Sequence, residues 1–445
     1  MSLYPFVLDH VLHPLHDRLR GRNYSRYRAL LERSQKWSRD QIADFQWQEL
    51  SRLLDHAFAH VPYYRTKYAQ AGIHRSDIRS MEDFSRLPML GRDEIREHRE
   101  ELRADNVPGL RPHATGGSSG IPTRFYITMD SYDWRVAATD RAYGWSGCVH
   151  GELTLILWGG PIGTLPRWQQ WKIALYNAVE RRVIVNTFTQ SSALWRHVYT
   201  LAQRRRPPLL VGYASSLDNF ASWLAQSGLS WVPPRAIISA AEPLTGVVRE
   251  HLQAVLRAPV FNTYGSREFM SIAAECPQHQ GLHVNAENIL IQTASSAPGA
   301  SPDILVTDLH NYGMPFIRYQ IGDTGTLDDT PCPCGCALPR IRSIDGRILD
   351  LFQRPDGQVV CGITLPHLMK EFGEVRTFQA RQVALDHVIV SLVLSEPLSD
   401  AHERLMRSEL SKFFGPLVQV ELRQVDDIPP LASGKRPMTI GLRPQ

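Results

Sequence analysis

The chain has 445 residues, 49 Lys and Arg against 45 Asp and Glu, and a formal net charge of +4. With 43% apolar and 21% charged residues it is a folding sequence of roughly two to four domains, which excludes a disordered or collagen-like chain. So slight a charge excess gives no electrostatic case for a dedicated nucleic-acid binder, which normally needs a clustered basic face.

The N-terminus lacks an early basic patch, and Asp9, His10, His13, His16 and Asp17 interrupt its apolar stretch, so no secretory signal is expected. The strongest apolar run, 153–158, ends at Gly159-Gly160-Pro161, far short of the ~20 residues of a membrane span. The expectation is a soluble, cytoplasmic chain without a transmembrane segment. Three of the six cysteines fall between 332 and 336, which in such a compartment points to metal before disulfide.

Residues 1–105 read as mostly helical. Leu8, Val11, Leu12, Leu15 and Leu19 recur at helical spacing with Arg18, Arg20 and Arg22 nearby, and Pro14 is expected to kink or restart the helix. Two readings stay open: a helical segment packed on the body, or a basic amphipathic contact with a membrane surface. From about 110 to 345, apolar runs of strand length (153–157, 183–185, 209–211, 236–238) alternate with helix-like segments (191–203, 216–227, 245–256). That alternation predicts an α/β architecture with a largely parallel sheet. After 345 the grain is α+β: strand 388–394, helix 401–414, strand 418–425. The boundary falls near Asp345-Gly346-Arg347, after the strand-like 340–344.

Four segments carry chemistry. Thr115-Gly116-Gly117-Ser118-Ser119-Gly120-Ile121-Pro122-Thr123 is a loop of amides and hydroxyls suited to phosphate oxygens, or a plain hairpin. It is no Walker A loop, and 124–128 reads as a strand, so it is no dinucleotide fingerprint. Asn262-Thr263-Tyr264-Gly265-Ser266-Arg267-Glu268 follows an apolar strand end and reads as a tight turn, with Glu268 able to hold Mg²⁺ against phosphates or simply to decorate the turn. A strand ending near Ile317-Arg318-Tyr319-Gln320-Ile321-Gly322-Asp323 offers a turn carboxylate for ribose hydroxyls, and Arg318 a fork for an anion or a partner for Asp323. Lys435 sits in a glycine turn near the C-terminus.

Together, in this order and spacing, these segments resemble the adenylate-forming superfamily of acyl-CoA synthetases, and within it the phenylacetate-CoA ligase and CapK-like family. The resemblance runs from about residue 50 to the end. His60-Val61-Pro62-Tyr63-Tyr64-Arg65 is similar to the family's N-terminal signature. Tyr264 to Glu268 resembles YGSTE with Arg267 in place of Thr, and Ile317 to Asp323 resembles IRYxTGD with Ile321 in place of Thr. Gly346-Arg347-Ile348-Leu349-Asp350 resembles the hinge, and Lys435 the lysine that assists adenylation.

The resemblance implies an α/β fold: a large N-terminal adenylate-forming domain, 1–345, with mixed sheets and helices, and a small mobile α+β domain, 346–445. It implies an AMP-forming ligase that activates an aryl or small carboxylic acid with ATP and passes the acyl group to coenzyme A. A CapK-like transfer to an amine or other acceptor is the alternative, and an inactive scaffold, kept in view by Arg267, a further one. In this reading Thr115, Gly116, Gly117, Ser118, Ser119 and Gly120 cradle phosphates, and Tyr264, Gly265 and Ser266 face the nucleotide. Glu268 holds Mg²⁺, Asp323 and Arg347 hold the ribose, and Lys435 neutralises charge at the α-phosphate. Trp145, Trp158, Tyr213, Ala240, Ala241, Glu242 and Pro243 line the acid pocket. It also implies a structural Zn²⁺ on Cys276, His283, Cys332 and Cys334, with His279 and Cys336 close enough in sequence to compete. A homodimer is carried as an expectation about assembly.

Overall fold

A computed structural model describes residues 3–114, 123–159, 166–187, 191–294, 302–344, 351–362, 364–369, 371–429 and 438–442. Thr115 to Gly120, Arg347 and Lys435 lie outside the described residues. In chain order the strands are β1 (Arg111–Ala114), β2 (Arg124–Ile127), β3 (Thr154–Trp158), β4 (Arg182–Asn186), β5 (Leu209–Tyr213), β6 (Ala236–Ala240), β7 (Val260–Ser266), β8 (Met270–Glu275), β9 (Leu282–Val284) and β10 (Ile289–Ala294). They continue as β11 (Asp303–Asp308), β12 (Tyr319–Asp328), β13 (Arg340–Ile344), β14 (Leu351–Gln353), β15 (Val359–Cys361), β16 (Val375–Ala384), β17 (His387–Leu394), β18 (Gln419–Gln424) and β19 (Thr439–Ile440). The chain divides into two compact units.

The first unit comprises Met1–Thr115, Thr123–His150 and Phe261–Arg347. Its N-terminal part is helical, as the periodicity predicts. Ser38 caps the helix Arg39–His60 in a reciprocal box with Gln41, and Ile42, Leu50, Leu53, Leu54 and Ala57 bury one face of it. Pro14 does not break its helix. A π turn, Leu8–Leu12, precedes Pro14, and the following helix, His13–Arg20, takes the proline in its first turn, where a missing N–H costs least. β1 and β2 pair antiparallel.

The expectation of a largely parallel sheet is corrected here. β7 to β13 form an antiparallel array in the order β10-β11-β12-β13-β9-β8-β7. Short connections with no intervening helix, such as Ser266 to Met270, can only return a strand antiparallel. Its buried residues, among them Phe269, Ile272, Val284, Ile304, Val306 and Ile341, share one core with Leu50, Tyr64, Tyr68 and Phe84.

The second unit comprises Gly116–Pro122, Gly151–Val260 and Ile348–Gln445. Here β4-β3-β5-β6 are parallel, linked by helices Arg167–Val179, Ser192–Arg205 and Ala214–Ser227, as the alternation predicts. Leu155, Leu157, Val185, Leu210 and Ile237 pack against Trp195, Leu217 and Phe220. Towards the C-terminus, β18-β17-β16-β19 and the helix Asp400–Phe414 enclose Phe378, Val390, Leu392, Met406, Leu410 and Phe414. β16 escapes a hydropathy reading because two of its buried residues, Gln379 and Gln382, are polar, and Gln382 bonds the backbone of Gln353 through both amide atoms.

Candidate active site and cysteine cluster

The Tyr264 to Glu268 motif is not a turn following a strand. Tyr264, Gly265 and Ser266 are the last residues of β7, and only 267–269 make the turn into β8. The ladder slips between Tyr264 and Gly265, and a Cβ on Gly265 would lie 2.2 Å from the Met270 carbonyl oxygen, so only glycine fits that approach. Met270 takes a φ of +59° to close the hairpin. The turn buries the Glu268 carboxyl at 4% exposure, presents Arg267 to solvent, and leaves Ser266 Oγ buried without a partner among the described residues.

Asp323 also lies inside a strand rather than in a turn. Asp303 pairs Thr324 while Leu305 pairs Gln320, so β12 carries extra residues at Ile321 to Asp323, and Gly322 adopts a φ of +89° there. A bulge of this kind re-aims a side chain. The buried Asp323 carboxylate accepts the Tyr264 hydroxyl at 2.9 Å, which joins the two motifs across 59 residues of sequence. Tyr319, on the same strand, donates to Glu268 at 3.2 Å.

Arg92, which sequence reasoning missed, completes this group. It donates to the Ile321 carbonyl at 3.1 Å and lies 3.4 Å from the Tyr319 hydroxyl. Burial alone would lower its pKa, but Tyr319, Glu268 and Asp323 raise it, so it stays a cation. Tyr319 is pushed up by burial and by Glu268 and stays protonated. Gly91, Arg92 and the acidic first turn of the helix Arg92–Glu97 look in sequence like any helix start, and no local signal marks Arg92. Arg318, offered as the anion fork or as the partner of Asp323, is placed elsewhere: it bonds Gln292 at 2.9 Å and lies over the Phe84 ring.

In the second unit, Trp158, Tyr213 and Ala240 end β3, β5 and β6, at the carboxyl edge of the parallel sheet where ligands bind in such folds. Trp158 and Tyr213 stack at 4.3 Å. Ala241 has a φ of +64°, and this left-handed turn points Glu242 back to accept the Ser215 amide at 2.7 Å and its hydroxyl at 3.1 Å. Pro243 is exposed. Trp145 is anchored in the first unit, donating to Gln35 at 2.8 Å and meeting the His283 ring edge-on at 5.6 Å.

Cys276, His283, Cys332 and Cys334 bring one ligand atom each within 4.8 Å of one another. Cys276 and Cys332 sulfurs are 3.7 Å apart, and Cys334 Sγ is 3.3 Å from His283 Nε2. Tetrahedral zinc, with Zn–S near 2.3 Å and Zn–N near 2.0 Å, requires about 3.8 Å between sulfurs and about 3.5 Å from sulfur to nitrogen. His283 Nδ1 faces the Leu338 carbonyl at 3.3 Å, so it carries the proton and turns the Nε2 lone pair to the cluster. Burial pushes His283 down to about 4 and Cys276 up to about 12, so His283 offers a neutral ring and a cation would release the Cys276 proton. His279 is held by Glu275 at 3.0 Å, and Cys336 contributes its backbone N–H to Cys334 Sγ at 3.4 Å rather than its thiol to the set. The described residues fit a four-ligand zinc site.

Residues 352–441 match the family described as the CapK C-terminal domain. Over 366 residues the chain is 24% identical to Protein CapK of Staphylococcus aureus, covering 80% of this chain and 80% of that one. Over 433 residues it is 26% identical to the phenylacetate-coenzyme A ligase of Pseudomonas putida, covering 89% and 93%. A crystal structure of 2-hydroxyisobutyryl-CoA ligase with 2-HIB-AMP and CoA in the thioesterification state matches with a TM-score of 0.62 at 20% identity, over 92% of each chain. The postadenylation state with 2-HIB-AMP matches with a TM-score of 0.58 at 21% identity, over 93% of this chain and 92% of that one. No described helix is long and apolar enough to cross a membrane. The chain is thus a relative of CapK and the phenylacetate-coenzyme A ligases, and it has the fold of an adenylate-forming ligase.

Proposed function

We propose that the chain is an AMP-forming ligase, activating a carboxylic acid with ATP to an acyl-adenylate and passing the acyl group to coenzyme A. The observation that carries this reading is the group of buried Glu268, Asp323, Tyr264 and Tyr319 with half-buried Arg92, in which two motifs distant in sequence meet around two hydrogen-bonded carboxylates. The relatives that match over most of the chain include phenylacetate-coenzyme A ligases.

Tyr264 and Tyr319 each occupy one oxygen of a carboxylate and so fix its plane. Asp323 is then set to accept ribose hydroxyls, and Glu268 to hold Mg²⁺, which supplies charge neutralisation on the phosphates. Arg92 brings a fixed positive charge to the two carboxylates, which in turn hold it as a cation. The Ser266 hydroxyl, buried and unmatched, suits a nucleotide atom. Thr115 to Gly120 would cradle the leaving phosphates, Arg347 would steady the ribose, and Lys435 would offset charge between the acid and the α-phosphate. Trp158, Tyr213, Ala240, Ala241 and Glu242 are the proposed acid-binding surface; its paired rings suit an aryl or other flat acid.

We assign Zn²⁺ a structural role on Cys276, His283, Cys332 and Cys334, since four protein ligands leave no open position for substrate. We also assign 346–445 to a domain that turns about Asp350 between the two half-reactions. Because 352–441 match the CapK C-terminal domain, we keep as a second reading a CapK-like transfer to an amine or other acceptor. Mass spectrometry of reactions with ATP, Mg²⁺ and a panel of acids tests both. An acyl-AMP mass supports the first half-reaction, and its conversion by coenzyme A or by an amine separates the acceptors. No acyl-AMP with any acid, from protein that binds ATP, would contradict the proposal.

A further inference from the structure

The helix Arg167–Val179 buries none of its side chains. It nevertheless carries Trp168, Trp171 and Leu175, which are 65%, 77% and 67% exposed. At 3.6 residues per turn these three project within about 60° of one another. Arg167 and Lys172 lie about 40° beyond either edge of that face. The helix has no acidic residue. A soluble helix normally turns its large apolar residues inward and its charges outward; here the apolar face and its flanking cations both point outward.

We propose that this helix docks the enzyme on an anionic lipid surface. An indole has an apolar body and a polar N–H edge, which suits the boundary between headgroups and acyl chains. Arg167 and Lys172 are placed to meet lipid phosphates while the face between them sinks into the boundary, as in helices that lie in the membrane plane. Thirteen residues span only ~20 Å, enough to lie on a bilayer and too short to cross one. Charge decides against a second copy of this chain. In a twofold contact through the same face, each helix would meet the cations of its twin with no acid of its own to receive them. Ile184, on the outermost strand β4, is also 47% exposed.

The test is cosedimentation of the full chain with vesicles of phosphatidylcholine containing phosphatidylserine, against vesicles of phosphatidylcholine alone. The wild type is expected to bind the anionic vesicles, with indole emission moving to shorter wavelength, and to bind the neutral ones at least about tenfold more weakly. Trp168→Ser with Trp171→Ser should lose about tenfold or more of this binding. Arg167→Gln with Lys172→Gln should lose about twentyfold, since each cation near such a surface is worth roughly fivefold. Both variants should melt like the wild type, because the helix buries no side chain. Leu15→Ser with Leu19→Ser, on the exposed face of the N-terminal helix, should bind as the wild type does. The proposal is overturned by no binding to anionic vesicles, by binding that survives the Trp168 and Trp171 changes, or by binding lost with Leu15 and Leu19 instead. A wild-type dimer that those tryptophan changes dissociate would equally overturn it in favour of self-association.

Discussion

Changing Cys332 to serine tests whether the cysteine cluster is a metal site or a packed group of thiols. Its sulfur lies 3.7 Å from that of Cys276, close to the separation that one tetrahedral zinc imposes. Structural zinc in small peptides contributes about 10–16 kcal/mol at neutral pH, so losing one ligand of four need not empty the site but must weaken it. A thousandfold loss of affinity at fixed free zinc removes about 4 kcal/mol of stability. For a unit of 150–250 residues that is a fall of roughly 8–16 °C in Tm. The assay is calorimetry with elemental analysis of the same preparation. Wild type should hold about one zinc per chain, and chelation should reproduce the fall seen in Cys332→Ser. Cys336→Ser is the control: its thiol is outside the ligand set, so Tm should move by no more than about 1 kcal/mol equivalent. Equal falls in Cys332→Ser and Cys336→Ser, or a wild type without zinc, would refute the assignment and leave the cluster as packing.

Asp323→Ala should weaken ATP binding roughly ten- to a hundredfold by calorimetry, because charged acceptors are worth about 1.5–3 kcal/mol, and Tyr264→Phe should cost less by leaving the carboxylate in place. Gly265→Ala forces a methyl to 2.2 Å from the Met270 carbonyl, so the hairpin must shift; adenylation should fall by more than the ~1–3 kcal/mol of lost stability predicts, as judged by rate against melting. Chemical denaturation should find stability greatest above pH 6.5 and falling towards pH 4. His283, held down to about 4, and the buried His310, also held down, stay neutral in the folded chain while unfolded imidazoles take up protons. A flat profile across that window would contradict their burial as neutral rings.

What the sequence disclosed follows from what kind of signal each element leaves. The β3 to β6 strands are short apolar runs separated by helices, and their boundaries are legible to within about two residues. β7 to β13 carry apolar runs of the same kind, but their antiparallel order depends on connection length, which composition does not weigh. Tyr264 and Asp323 were both singled out, yet the bond between them depends on a bulge at Ile321 to Asp323 that no local pattern announces. Arg92 left no trace because its role comes from tertiary position alone. The cysteine cluster was legible as three cysteines within five residues, and the structure narrowed it by giving His279 to Glu275 and leaving the Cys336 thiol outside. Trp168 and Trp171 were passed over in sequence because a tryptophan at helical spacing is ordinarily core; only their exposure distinguishes them.

The central claim is that this chain joins a carboxylic acid to AMP before any acceptor is involved. Exchange of labelled pyrophosphate into ATP, run with Mg²⁺, an acid panel and no coenzyme A, measures that step alone. The account expects exchange that depends on one class of acid, and its loss in Glu268→Gln, Asp323→Ala and Lys435→Ala protein that still melts cooperatively. Absence of exchange with every acid, from folded protein that binds ATP, would contradict it; so would exchange that survives all three substitutions.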